Sequence, residues 1–147
     1  MILIHYGDDR FHPDKFESIK NCNFVKPRGG LWASPKDSPF GWKYWCQNED
    51  FHTEELKDSF RFTLDKKAKI LTIDSLKRFL LVNIAYAQAE IVFGHIYLDF
   101  EKIAKKYDAI YLTWKGQCET RYSYPTGLYG WDCESILILK PNYIHEL

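Results

Sequence analysis

The chain has 147 residues, with 20 Lys and Arg balancing 20 Asp and Glu, so it is long enough to bury a core without a disulfide staple. No global field draws it to nucleic acid or to an anionic membrane, although a local basic face stays possible. Aromatic residues make up 17% of it, five of them Trp, a richness that fills cores and also builds binding pockets and interfaces.

Ile2 to Tyr6 is a short apolar strand, broken by Gly7-Asp8-Asp9. Pro13 fits the first turn of a helix running to about Asn21. Lys26-Pro-Arg-Gly-Gly30 is a turn, and Leu31 to Ser34 a second strand, stopped by Pro35. Ser38-Pro39 starts a helix that carries Trp42, Tyr44, Trp45 and Cys46, with a further helical stretch near Glu49 to Lys57. Ser59–Leu64 and Ala68–Ile73 alternate polar with apolar about an Asp65-Lys-Lys67 turn, the pattern of a β-hairpin. Asp74 or Ser75 caps a helix to about Ala87, with Leu76, Phe79, Leu80, Ile84 and Ala87 on one face. Asp99 caps another helix to about Lys106. Ala109–Thr113 and Ser135–Leu139 are the last strands. The sum is one α+β domain, residues 1–147, with helices inserted between strands.

Cys22, Cys46, Cys118 and Cys133 contain no C-x-x-C, and the five histidines form no H-x-x-x-H pair, so no metal centre is expected. The apolar start, Met1 to Ile4, is too short for a signal sequence, and no run approaches the ~20 apolar residues of a membrane span. A cytoplasmic protein with reduced thiols is therefore expected.

Three constellations can carry chemistry. His5-Tyr6-Gly7 ends the first strand, where an imidazole can hydrogen-bond a polar ligand and glycine lets backbone approach it. Gly30-Leu-Trp-Ala-Ser34 puts Trp32 and Ser34 on one strand face, and Tyr44 and Trp45 follow on a helix. Asp132 and Glu134 stand at the mouth of the last apolar strand, spaced to point to the same side. Acids there are costly unless paired or used. The loop before them, Tyr122 to Trp131, is aromatic and punctuated by Gly and Pro, able to hold a planar ligand. The same residues also fit an ordinary loop feeding a core strand, with both acids solvated.

In this order, these pieces resemble the ADP-ribosyltransferase superfamily, in particular small bacterial or phage members of its poly(ADP-ribose) polymerase and diphtheria-toxin branch. His5 with Gly7 resembles the family's first-strand His-Gly, with Tyr6 inserted. Gly30 to Ser34 resembles its Gly-x-aromatic strand, with Trp32 where Tyr is usual. Tyr44 or Trp45 is similar to its helix aromatic, and Glu134 to its catalytic glutamate. Asp132 resembles the acid of the acid-x-Glu pair in toxins that modify arginine, whose first strand carries Arg where this chain has His5.

The resemblance implies a split mixed β-sheet core with inserted helices, and NAD as co-substrate. Glu134 would stabilise the oxocarbenium-like transition state and hold a ribose hydroxyl. Trp32 and Tyr44 or Trp45 would sandwich nicotinamide. His5 would bond the adenine-side ribose, backbone at Gly7 the carboxamide with Ser34 helping, and Arg10 or Arg28 the pyrophosphate. Asp132 and the 122–131 loop would face the acceptor: a protein, a nucleic-acid base, a small molecule or water. An antitoxin partner would fit a toxin role. A non-catalytic NAD or ADP-ribose binding module on the same fold is the alternative. A transferase acting on RNA 2′-phosphate is disfavoured by the scattered arginines, Arg10, Arg28, Arg61, Arg78 and Arg121.

Overall fold

The structure, a computed structural model, describes residues 1–147. Nine strands form: β1 (Leu3–Tyr6), β2 (Leu31–Pro35), β3 (Ser59–Leu64), β4 (Ile70–Ile73), β5 (Ala87–Val92), β6 (His95–Leu98), β7 (Ala109–Leu112), β8 (Ser135–Ile138) and β9 (Ile144–Glu146). Four α-helices join them: α1 (Trp42–Glu49), α2 (Leu76–Tyr86), α3 (Phe100–Ala104) and α4 (Trp114–Thr120). Seven strands make one sheet in the order β4-β7-β8-β2-β1-β3-β9, and β5-β6 stands apart as a hairpin. The sheet is mixed, since β4 and β7 run parallel and its other neighbours antiparallel. The α+β class expected from the sequence is what forms. No helix is long and apolar enough to cross a membrane.

Period-two alternation along β8 builds both cores. Leu137 and Leu139 join Leu71, Ile73, Ile110 and Leu112 beneath Phe79 of α2 and Phe100 and Ile103 of α3. Ile136 and Ile138 face the other way and meet Leu3, Phe60 and Phe62. β8 is buried at every position, so it reads as a continuous apolar run. Buried Asp108, ahead of β7, accepts from the Lys69 amide at 2.8 Å and from Lys140 Nζ at 2.9 Å. Burial opposes its charge, but those bonds and the two cations outweigh it and hold its pKa below the usual carboxylate value.

Four sequence expectations change. The helix expected from Pro13 to Asn21 is a single 3-10 turn, Pro13–Lys15. The chain then runs extended, because Glu17 O accepts from Gly30 N and Lys20 exchanges backbone bonds with Arg28. The stretch near Glu49–Lys57 is likewise a 3-10 turn, Thr53–Lys57. β3 and β4 both exist but do not pair. β3 buries Phe60 and Phe62 in one core, whereas β4 buries Leu71 and Ile73 in the other, so β4 crosses to the far edge of the sheet beside β7. On α2, Ser75 caps as expected, yet the buried stripe is Phe79, Val82 and Asn83, while Leu80 and Ile84 stay exposed.

Candidate functional site

The order β8-β2-β1 makes neighbours of the three strands that carry the motifs. Above their junction lies a cavity of about 240 Å³, lined by His5, Tyr6, Lys26, Trp32, Ser34, Trp42, Glu55, Trp131, Asp132 and Cys133 among others. A second depression of about 270 Å³, lined by Ser38, Tyr44 and Lys43, shares Ile4, Tyr6, Ser34 and Trp42 with the first. The two adjoin at these shared residues and together form a two-part groove. Each part is smaller than the roughly 300–1,000 Å³ that encloses a drug-sized ligand. Filling both takes an elongated ligand with separate rings.

His5 is held at the end of β1 by its Nδ1 against Trp32 O at 2.6 Å, with Phe60 5.2 Å from its ring and Asp8 3.7 Å from Nε2. Tyr6 is next in the same wall, its phenol pKa raised by burial. Gly7 adopts φ +110° with open space where a Cβ would sit. Its N–H is already given to Asp58 O at 3.0 Å, leaving only its carbonyl for a ligand.

Trp32 projects from β2 and packs edge-on against Trp131 at 4.7 Å between centroids, with Lys26 Nζ 5.5 Å from the Trp32 ring. Ser34 is buried, and its Oγ accepts the Trp42 amide at 2.9 Å. It therefore satisfies the first turn of α1 from a distance, which explains why α1 starts at Trp42 and not at Ser38. Gly30 has a packing role. At φ +74° a Cβ there would stand 2.7 Å from Ile138 O, so β2 enters against β8 only because that residue is glycine.

Asp132 and Glu134 do not act as a pair. Strand β8 begins only at Ser135, so the alternation that would set both acids on one side has not started. Asp132 lines the cavity and meets Lys26 at 3.5 Å and Arg121 at 3.9 Å. Glu134 turns to the Tyr111 hydroxyl, which donates to Oε1 at 2.5 Å, and to the Ser38 hydroxyl, which donates to Oε2. Its own amide bonds Phe40 O at 3.0 Å. Glu134 thus sits behind the groove, one hydroxyl away from it through Ser38. Burial first, and then the Glu134 carboxylate, push the Tyr111 phenol far above its ordinary value.

Of the two helix aromatics expected at the site, Tyr44 lines the second depression, while Trp45 faces away and stacks on Arg121 at 5.1 Å. Trp42 forms the wall common to both depressions. It is the first residue of α1, directly after the Gly41 N-cap. Arg10 and Arg28 are in neither wall; the cations there are Lys26 in the first depression and Lys36 and Lys43 in the second. Ser38, Tyr111 and Lys26 had no sequence signal as site residues, because each works through a partner 23 to 106 positions away.

Cys133 is buried in the same wall, and burial, partly offset by the Ser34 hydroxyl and Lys26, pushes its thiol up to about 12. It is no nucleophile at neutral pH. Comparison of the chain with family models, with curated proteins and with solved structures gives no match.

Proposed function

We propose that the chain is an NAD-dependent ADP-ribosyltransferase, with the shared groove as its NAD site. The observation that carries this reading is the adjacency of β1, β2 and β8, which gathers His5, Trp32 and Ser34 around one depression, with Ser38, bonded to Glu134, in the wall of the adjoining one. Three supports follow. Two aromatic walls, Trp32 and Trp42, suit a planar nicotinamide. Lys26 lines the same space and suits a phosphate. The groove's two linked parts suit a dinucleotide, which is elongated and carries a ring at each end.

In this reading the bond between ribose C1′ and the nicotinamide nitrogen breaks, and its electron pair neutralises the pyridinium. Positive charge develops on the ribose, and the Glu134 carboxylate stabilises it. A ribose hydroxyl takes over the bond that Ser38 makes to Glu134, while Tyr111 keeps the other oxygen in place. The acceptor nucleophile attacks C1′ from the opposite side and gives up its proton. Asp132, in the groove wall directly after the 122–131 loop, takes that proton.

One observation favours a second reading. Both Glu134 oxygens are already bonded within the fold, and Glu134 is not part of the groove wall. A binding module that holds NAD or ADP-ribose without turnover would look the same. Tryptophan fluorescence tests the site common to both readings. Titration with NAD should quench the emission, and Trp32→Phe together with Trp42→Phe should weaken binding about tenfold or more. No quenching and no heat of binding at millimolar NAD would dismiss both.

A further inference from the structure

We propose that the second depression is a diphosphate subsite, with Lys43 and Lys36 as the residues that hold the phosphates, and that the dinucleotide therefore lies with its nicotinamide in the first depression. The orientation rests on the NAD reading of the groove; the binding of a diphosphate does not. The two parts of the groove differ in charge. Lys36 and Lys43 line the second with Ser38, Tyr44 and Gln47, and no Asp or Glu is in its wall. Exposed Lys43 makes no ion pair. Lys36 meets only Asp37, the next residue, at 3.4 Å, and the Asp37 side chain is 88% exposed. A pair so open to water is worth little and does not cancel Lys36 for an incoming phosphate. Glu134 stands behind Ser38 with both oxygens taken by hydroxyls. The first depression sets one cation, Lys26, against Asp132 and Glu55. Lys26 and Asp132 meet at 3.5 Å, and Glu55 meets His52 at 2.9 Å. Lys26 is thus the weaker phosphate partner, already shared with a carboxylate.

Charge selects one orientation of the dinucleotide. Its nicotinamide is a pyridinium, a planar cation, which aromatic faces attract. The first depression has the tryptophans, Trp32, Trp42 and Trp131, and the only two acids that line either part, Glu55 and Asp132. In the second depression a pyridinium would face two ammonium groups, and the diphosphate would be left to the wall that holds both acids. The favoured orientation also keeps the order of groups along the ligand. Ribose joins the pyridinium to the first phosphate, and Ser34 and Trp42, common to both parts, join the tryptophans to the lysines. Ser38, bonded to Glu134, lies on the lysine side of that seam, so the ribose falls one hydroxyl away from the carboxylate. Tyr44, 43% exposed and edge-on to Phe40 at 5.7 Å, is the ring left to meet adenine.

Calorimetric titration of the full chain with ADP, adenosine and NAD tests this. ADP should bind, and adenosine, which lacks the diphosphate, about tenfold more weakly or worse. Lys43→Ala should weaken ADP and NAD by the same factor, roughly 5–10-fold, and Lys36→Ala should act in the same sense, with the melting temperature unchanged. Trp32→Phe should weaken NAD and leave ADP as it was. No binding of ADP, ADP and adenosine binding alike, or ADP binding indifferent to both lysines would overturn the subsite. Trp32→Phe weakening ADP as much as NAD would overturn the orientation and return the diphosphate to Lys26. A Lys43-dependent ADP site in a chain that does not bind NAD would uphold the subsite and count against the NAD reading. NAD binding that quenches tryptophan yet ignores both lysines would keep the NAD reading and overturn the subsite.

Discussion

Tyr111 of β7 donates its hydroxyl to Glu134, just ahead of β8, at 2.5 Å. The bond joins neighbouring strands at the sheet end nearest the groove, and it fixes one carboxylate oxygen whatever happens at the other. Tyr111→Phe leaves the ring and removes the donor, so it should lower stability by about 1 kcal/mol, since the pair is only partly buried. Burial and Glu134 raise the phenol above its ordinary 10.0. The sign follows: a raised value stabilises the fold fully below pH 10 and loses that stabilisation as pH climbs further. Alkaline titration of tyrosine absorbance should leave a late-ionising set that includes Tyr111 and Tyr6, and Tyr111→Phe should shrink it by one. An unchanged late set would contradict the hydrogen bond.

Gly30 is the position where the motif and the fold make different demands on the same residue. The resemblance sets it in the Gly-x-aromatic motif of an NAD site, but the geometry gives it a steric role, with a Cβ meeting Ile138 O at 2.7 Å and φ at +74°. Gly30→Ala should cost about 1–3 kcal/mol and lower the melting temperature. Whatever NAD binding survives per folded molecule should be unchanged. A stable Gly30→Ala protein with weakened NAD binding would return the residue to the ligand site.

The thiols divide by burial. Cys118 is exposed and Cys22 half-buried, while Cys46 and Cys133 are buried. A thiol reagent near pH 8 should label Cys118 first and Cys22 more slowly, and Cys46 and Cys133 only in denaturant. Burial raises Cys133 to about 12 from 9.0. The unfolded chain therefore releases that proton first, and stability should fall as pH rises from about 9 towards 12. Rapid labelling of Cys133 in the native protein would contradict its place in the wall.

Much of the architecture was legible because it is local. The alternation along β3, the apolar run of β8, the Ser75 and Asp99 caps and the glycine turn before β2 each follow from a few adjacent residues. What was not legible depends on distant partners. Phe93-Gly94 takes the positive φ values, 49° and 78°, that close the β5-β6 hairpin. A phenylalanine in the left-handed region is not a turn signal that pattern reading finds. β3 and β4 have the spacing of a hairpin, and only their loyalty to opposite cores separates them. At the site, His5 and Trp32 reach the groove as their strands predict, and Asp132 reaches it from the loop before β8. Glu134 does not, because the strand that would have aligned it with Asp132 starts only at Ser135, after both acids.

The transferase account stands or falls on Glu134. The most direct measurement is free nicotinamide released from NAD by the purified protein beside Glu134→Gln, which keeps the Ser38 and Tyr111 contacts within reach but removes the charge. The account predicts release by the native chain and a loss of about 100-fold or more in the variant. Equal release by both would contradict the role of Glu134. Release by neither, with NAD still bound, would leave a binding module in place of the enzyme.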